Sequence, residues 1–335
     1  MTPPGPGLGP VVRLAPAKVN LTLAIVGQRP DGFHAIHSVM APLGLADRLS
    51  LAAAAGTTDT LFVAAGNGEL AALGPSADNL VLRAIGAARA AVGGAGPTPA
   101  LAARLEKRIP VAAGLAGGSS DAAAALDGAL EAWGLGGDAV LSSDERRRIA
   151  ARLGSDVPFF LPGGLAIVEG RGERVTALPD AIRGDPPGLL LVVPRVALPT
   201  PAVFAAYVAS GAAINGATRL TSEHLAGELQ RGLTARTLHD RAGILAAAND
   251  LLGASAAIEP GIVPFRRALA RATGRPIGLS GSGPSLWVLY PSLADAQAAE
   301  AVVRAALVAG TLSAPGDQLP FVAATEIVGR APAQS

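Results

Sequence analysis

Residues 107–121 read KRIPVAAGLAGGSSD, and no other stretch constrains the fold of this chain as tightly. An alternating run, residues 101–109, precedes the segment, and an alanine-rich run, residues 122–133, follows it. Alternation predicts a strand and the alanines a helix, so Gly114, Gly117 and Gly118 fall in the joint between them. Glycine reaches positive φ without steric cost and lets a ligand approach the backbone. The free N–H groups and dipole of the following helix favour an anion at its start. Ser119 and Ser120 add hydroxyls at that point. The joint is therefore suited to cradling phosphate. Taken alone, it leaves open the alternative of an ordinary strand-to-helix turn in a chain with 42 glycines.

Lysine usage narrows the choice. The chain holds 27 lysines and arginines together, of which only Lys18 and Lys107 are lysines. A charge that merely needs solvation is met by arginine throughout. The two lysines thus point to places that need a compact ammonium rather than a planar guanidinium. Lys107 abuts the glycine segment, and Lys18 opens the alternating run 18–25. Its polar face carries Lys18, Asn20 and Thr22, and its apolar face Val19, Leu21, Leu23 and Ile25.

Composition excludes several functions. A net charge of +1 provides no field for nucleic acid, and the Arg146–Arg148 run reads as a solvated helix face. The absence of cysteine rules out disulfides, thiol nucleophiles and thiolate zinc sites. The first residues, MTPPGPGLGP, lack the basic and apolar regions of a leader. Apolar runs such as 189–193 are too short to span a bilayer. A cytoplasmic protein is expected, with no membrane and no obligatory protein partner.

Strands are predicted near residues 35–43, 48–54 and 61–65, after a hairpin turn at QRPDGFH (28–34). A helix should run from Asp78–Asn79 to Val92 and stop at Gly93–Gly94. Ser142 and Glu145 form a capping box for a helix ending at Gly154. Further strands are expected near 165–169, 188–193, 286–290 and 321–327, and helices near 201–209, 236–250, 261–272 and 293–308. At 335 residues two domains fit, with a boundary near Gly163–Gly164. They cover residues 10–164 and 165–328, between disordered tails at 1–9 and 329–335.

No Walker motif occurs. Gly66, Gly68 and Ala71 match a relaxed dinucleotide fingerprint, but no acidic residue follows at the ribose-binding distance, so these residues read as a turn. The pattern P-x-x-x-G-L-x-x-x-S-S from Pro110 does resemble the second signature of the GHMP kinases, a superfamily of small-molecule kinases. PAKVNL (16–21) resembles their first signature and GLSGSGPS (278–285) their third. QRPDGFH (28–34), LGSDVPFFLPGG (153–164), LPTPAVF (198–204) and Asn249–Asp250–Leu251 resemble one branch, whose acceptor is a cytidyl diphosphate sugar alcohol.

The resemblance implies an α+β, two-domain GHMP kinase fold. Its N-terminal domain would be like ribosomal S5 domain 2, and its C-terminal domain ferredoxin-like. It further implies ATP and Mg²⁺ as cofactors, with Lys18 and Asp156 as the catalytic pair. Asp156 would be the general base and Lys18 the stabilising charge. Read without the family, Asp156 is also a helix N-cap ahead of Pro158, and Lys18 an exposed strand charge. Asn79 and Lys107 would border the adenosine. Pro110, Val111, Ala112, Ala113, Gly114, Leu115, Ala116, Gly117, Gly118, Ser119 and Ser120 would wrap the phosphates. Ser120 is a candidate for helping to place Mg²⁺, and no carboxylate is assigned to the metal. Phe33 and Phe204 would stack on the cytosine, with Asn20 and His34 at the polar groups of the substrate. The family often carries tyrosine at position 33, so the ring is kept here without its hydroxyl. Asp121 reads as a first-turn carboxylate complementing the helix dipole, while His37, His224 and His239 read as structural.

Overall fold

The expected break at residues 44–47 does not occur: His34–Ala53 is one strand of 20 residues. A computed structural model of the chain describes residues 10–65, 78–212, 214 and 216–329. The Gly66–Ala71 turn and nearly all of both tails lie outside these residues. Among the described residues, no helix is long and apolar enough to cross a membrane.

The chain divides into two compact units that interleave in sequence. The first comprises residues Met1–Ala17, Leu45–Ile109 and Gly117–Leu161. The second comprises Lys18–Gly44, Pro110–Ala116 and Pro162–Ser335. In the first unit, Leu101–Lys107 pairs antiparallel with the end of the long strand, Leu105 opposite Leu49. It pairs parallel with Thr60–Ala65 on its other edge, Leu105 opposite Val63. Helices Leu80–Val92, Gly117–Ala132 and Ser143–Leu153 supply the rest of the core. Alanines at 84, 88, 122, 123, 125 and 129 make up much of that core, and their small side chains let helix and sheet approach closely. At Gly128 an added Cβ would lie 2.7 Å from Leu51.

Local signals set the ends of these helices. The Asn79 side chain accepts the Val81 N–H at 2.9 Å, and Gly93 takes the left-handed C-cap conformation. Ser142 and Glu145 form the expected reciprocal box.

In the second unit, Gly278–Leu279, Leu286–Tyr290, Gly188–Val193 and Phe321–Glu326 form an antiparallel four-stranded sheet in that order. Every residue of Gly188–Val193 is buried, as expected of a central strand. Helices Ile262–Thr273 and Leu293–Val308 pack against this sheet. The hairpin is present as well, with Ala24–Gln28 pairing back on the long strand and Gln28 opposite His34. Gly32 supplies the positive φ of its turn.

The helices depart from expectation at two places. The helix predicted over 236–250 is two short helices, Ala235–Asp240 and Ala242–Ala247. The chain turns out of helix at Ala248 so that the Asn249 amide can donate to Leu279 O at 2.9 Å and Gly281 O at 3.0 Å. Helix Gly216–Arg231 was not foreseen; Gly216 and Gly227 lower its intrinsic propensity.

Candidate active site

In the second unit, the glycine segment takes up a shape fit for an anion. Ala112, Gly114 and Ala116 all have positive φ, at 56°, 76° and 54°. Left-handed residues alternating with others turn successive N–H groups toward one concavity, an anion-binding nest. For alanine the left-handed conformation costs about 1–2 kcal/mol, so the loop is held by its surroundings. Ser285 donates through Oγ to Ala113 O at 2.5 Å. Ser280 Oγ donates to Gly114 O at 3.3 Å. The loop and the segment 278–285 are thus stitched together. A Cβ at Gly114 would come within 2.8 Å of Gly283 O and 2.9 Å of Ser280 O. Only glycine admits that approach.

Lys18 is not an exposed strand charge. Its side chain is buried at 4% exposure, and its ammonium donates to Gly114 O at 3.0 Å and Asn20 Oδ1 at 2.9 Å. The Lys18 N–H donates to Leu115 O at 3.0 Å. Asn20 is held in turn: its side-chain amide donates to Ser38 Oγ at 2.8 Å, and its backbone carbonyl accepts the Trp287 indole N–H at 3.1 Å. The expected polar face, Lys18, Asn20 and Thr22, is as buried as the apolar one. A buried ammonium is tolerated where oxygens surround it.

Phe204 and His34 form a stacked pair with ring centroids 5.3 Å apart, and Tyr207 meets His34 edge-on at 6.1 Å. Phe33 is 51% exposed, with the Arg171 guanidinium 5.4 Å above its ring. The ring partner of Phe204 is therefore His34. Arg171 and Ser280 carry site contacts that the sequence reading did not single out; Ser280 lay within a recognised motif, whereas Arg171 had no signal.

The first unit holds the remaining candidates. Asn79 caps its helix, and helix Gly117–Ala132 starts inside the glycine segment, at Gly117. Asp121 consequently lies beyond the first turn. Its carboxylate does not serve the dipole but accepts the Lys107 ammonium at 2.7 Å. Lys107 also donates to Asp47, which is fully buried. Burial pulls the Lys107 pKa down, but Asp121 and Asp47 outweigh it and hold the ammonium above its ordinary value. Burial pushes the Asp121 carboxyl up to about 7; Lys107 opposes that rise and Asp47 adds to it. Asp47 was missed, although an aspartate inside the apolar run LGLADRLSL was a usable signal. Ser120 Oγ and Asp121 Oδ1 are buried without a hydrogen-bond partner among the described residues. Asp156 stands in the N-cap position of the 3₁₀ turn Val157–Phe160, yet its side chain makes no cap hydrogen bond.

A nest-forming loop, a buried lysine on its carbonyl and a two-unit α+β fold define the class: the chain has the GHMP kinase fold. The family described as the GHMP kinases N terminal domain matches residues 79–164. A crystal structure of homoserine kinase from Cytophaga hutchinsonii shares this fold with a TM-score of 0.67 at 16% identity, over 98% of each chain. The chain belongs to the family of the 4-diphosphocytidyl-2-C-methyl-D-erythritol kinases. It is 37% identical over 293 residues to that enzyme of Paramagnetospirillum magneticum, covering 87% of this chain and 93% of the relative. With the Symbiobacterium thermophilum enzyme it shares 42% over 189 residues, which span 56% of this chain and 61% of that relative. A crystal structure of 4-(cytidine 5'-diphospho)-2C-methyl-D-erythritol kinase superposes with a TM-score of 0.65 at 28% identity, over 94% of this chain and 99% of the other.

Proposed function

We propose that the protein transfers the γ-phosphoryl group of ATP to the 2-hydroxyl of 4-diphosphocytidyl-2-C-methyl-D-erythritol. This step belongs to the methylerythritol phosphate route to isoprenoid precursors, and the reaction would take place in the cytoplasm. The observation that carries the reading is the Lys18 ammonium, buried and bonded to the carbonyl of Gly114 in the middle of the nest-forming loop. Phosphoryl transfer asks the protein for alignment and charge stabilisation more than for covalent chemistry, and a fixed, desolvated ammonium supplies both.

On this reading Asp156 takes the proton of the acceptor hydroxyl as its oxygen attacks the γ-phosphorus. Lys18 orients that hydroxyl and stabilises the charge that develops. Residues 110–120 hold the phosphates through their N–H groups and hydroxyls, and Asn79 and Lys107 border the adenosine. Phe204 presents a ring to the cytosine from its stack with His34, Phe33 adds a second aromatic surface, and Asn20 and His34 serve the polar groups. Ser120 would hold Mg²⁺ together with the phosphates, its buried, unpartnered Oγ being a hard oxygen of the kind that ion takes. The ion would neutralise phosphate charge during transfer. We carry 10–164 and 165–328 as the two functional domains.

ADP release tested against a panel of alcohols decides the reading. The cytidyl substrate should turn over, and homoserine and mevalonate should not. Asp156→Asn should lose at least about 100-fold in kcat, the usual worth of a general base, with ATP affinity retained. Turnover of a cytidine-free alcohol in preference to the cytidyl substrate would reject the assignment.

A further inference from the structure

Asp47 sits in the middle of the long strand His34–Ala53, fully buried, where aspartate is ordinarily disfavoured. The ladder between that strand and Leu101–Lys107 ends with Arg48 opposite Glu106. Beyond it, the Asp47 side chain takes over as acceptor. Its Oδ1 receives the Arg108 N–H at 2.5 Å and the Ile109 N–H at 2.9 Å, and its Oδ2 receives the Lys107 ammonium. The next residue, Pro110, has no N–H to satisfy. Lys107 then bridges to Asp121 on helix Gly117–Ala132 at 2.7 Å. A Cβ added to Gly117 would lie 3.3 Å from the Lys107 Nζ.

The chain leaves the first unit at Ile109 and re-enters it at Gly117. One buried carboxylate therefore grips the exit through two backbone N–H groups and reaches the re-entry through an ammonium bridge. We infer that Asp47 is a positioning residue for the nucleotide loop: it pins both ends of residues 110–116 and so presets the loop for a triphosphate. The inference rests on the ATP reading given above. It accounts for Lys107 being lysine, since a compact ammonium bridges two carboxylates where a guanidinium fork would not fit. It also separates this residue from the chemistry: the clamp should govern nucleotide affinity, not the transfer step.

Asp59 supplies a matched control in the same unit. It grips the other end of strand Leu101–Lys107, accepting the Leu101 N–H at 2.8 Å and the Arg89 guanidinium at 2.6 Å. The experiment compares Asp47→Asn, Asp121→Asn and Asp59→Asn with the parent chain. It reads ATP affinity by calorimetry, steady-state kinetics, and hydrogen exchange of residues 110–116 without nucleotide.

In Asp47→Asn, ATP should bind on the order of tenfold more weakly, the scale of losing about one net hydrogen bond. The KM for the acceptor should hold, and kcat at saturating ATP should be largely kept. Exchange in the loop should quicken. Asp121→Asn should act in the same direction and less strongly, and it decides the matter if Asp47→Asn does not fold. Asp59→Asn should lower the melting temperature while leaving ATP affinity and loop exchange unchanged. Unchanged loop exchange and ATP affinity in the Asp47 and Asp121 variants would overturn the inference, as would an equal effect of Asp59→Asn at equal loss of stability. If the parent chain binds no ATP, the nucleotide reading fails, and loop exchange still decides whether Asp47 pins the segment.

Discussion

Lys18 Nζ and the carbonyl oxygen of Gly114 lie 3.0 Å apart, although 96 residues separate them in sequence. The bond ties the first motif to the second at the most constrained point of the loop. There Gly114 has positive φ and faces the backbone of Gly283 and Ser280. The ammonium therefore serves two ends at once, holding the loop and supplying a fixed charge beside it.

Lys18→Arg should fail although it keeps the charge. The ammonium already has Asn20 and Gly114 as close partners, and Gly281 packs nearby. A planar fork of greater volume cannot occupy the same point, and overpacking of this kind typically costs about 1–3 kcal/mol. We expect kcat to fall by roughly 100-fold or more, the scale of losing one preorganised charge-stabilising donor, with a modest drop in melting temperature. Steady-state kinetics and a thermal melt check this. Near-normal turnover would refute the role.

Gly114→Ala should be among the most damaging single methyl additions in the chain. The left-handed backbone and the contacts under 3 Å with two carbonyls act together, for an expected loss of about 2–5 kcal/mol. Urea denaturation measures it. A loss below about 1 kcal/mol would show that the loop relaxes freely, since ordinary surface changes stay within half that.

Phe204→Ala should raise the KM for the cytidyl acceptor and leave the KM for ATP alone. Removing a stacked ring from a base costs about 1–3 kcal/mol, which is roughly ten- to a hundredfold in affinity. Phe204 is only half-buried against His34, so stability should change little. A rise in both KM values with a lower melting temperature would mark Phe204 as a core residue instead.

Asp121 sets a pH dependence of stability. Its carboxyl is raised from 3.8 to about 7 in the folded chain, chiefly by burial. The folded protein thus keeps a proton that the unfolded chain has already released. This contribution is full below 3.8 and is lost as the pH climbs through about 7, after which it stays flat. Urea melts across that window, without nucleotide or divalent cation, should show stability declining with pH. Asp121→Asn should flatten that decline, and an unchanged slope would assign it to other groups.

What could be read from the sequence was local. Asn79, the Ser142–Glu145 box, Gly93 and the Asp31–Gly32 turn each act within a few residues, so their types alone announced helix and hairpin ends. The strand–glycine–helix joint was legible for the same reason, because φ preferences and helix-end N–H groups are properties of short segments. Gly188–Val193 and Leu286–Tyr290 stood out as short apolar runs bounded by turn residues, and burial on both faces explains their composition.

The tertiary structure decided everything that depends on a partner far along the chain. Asp47, an aspartate inside an apolar run, is explained only by residues 107–109, which satisfy its oxygens. Asp121 looked like a dipole complement until Lys107 claimed it. Lys18, Asn20 and Thr22 read only as the polar face of a strand; segment 278–285 and Ser38 enclose Asn20, the glycine loop meets Lys18, and Ser222 meets Thr22. Periodicity records how a segment would divide between water and a single core face. It carries no record of a polar group whose solvent has been replaced by distant amides, carbonyls and hydroxyls, and the buried polar contacts of this site are of that kind.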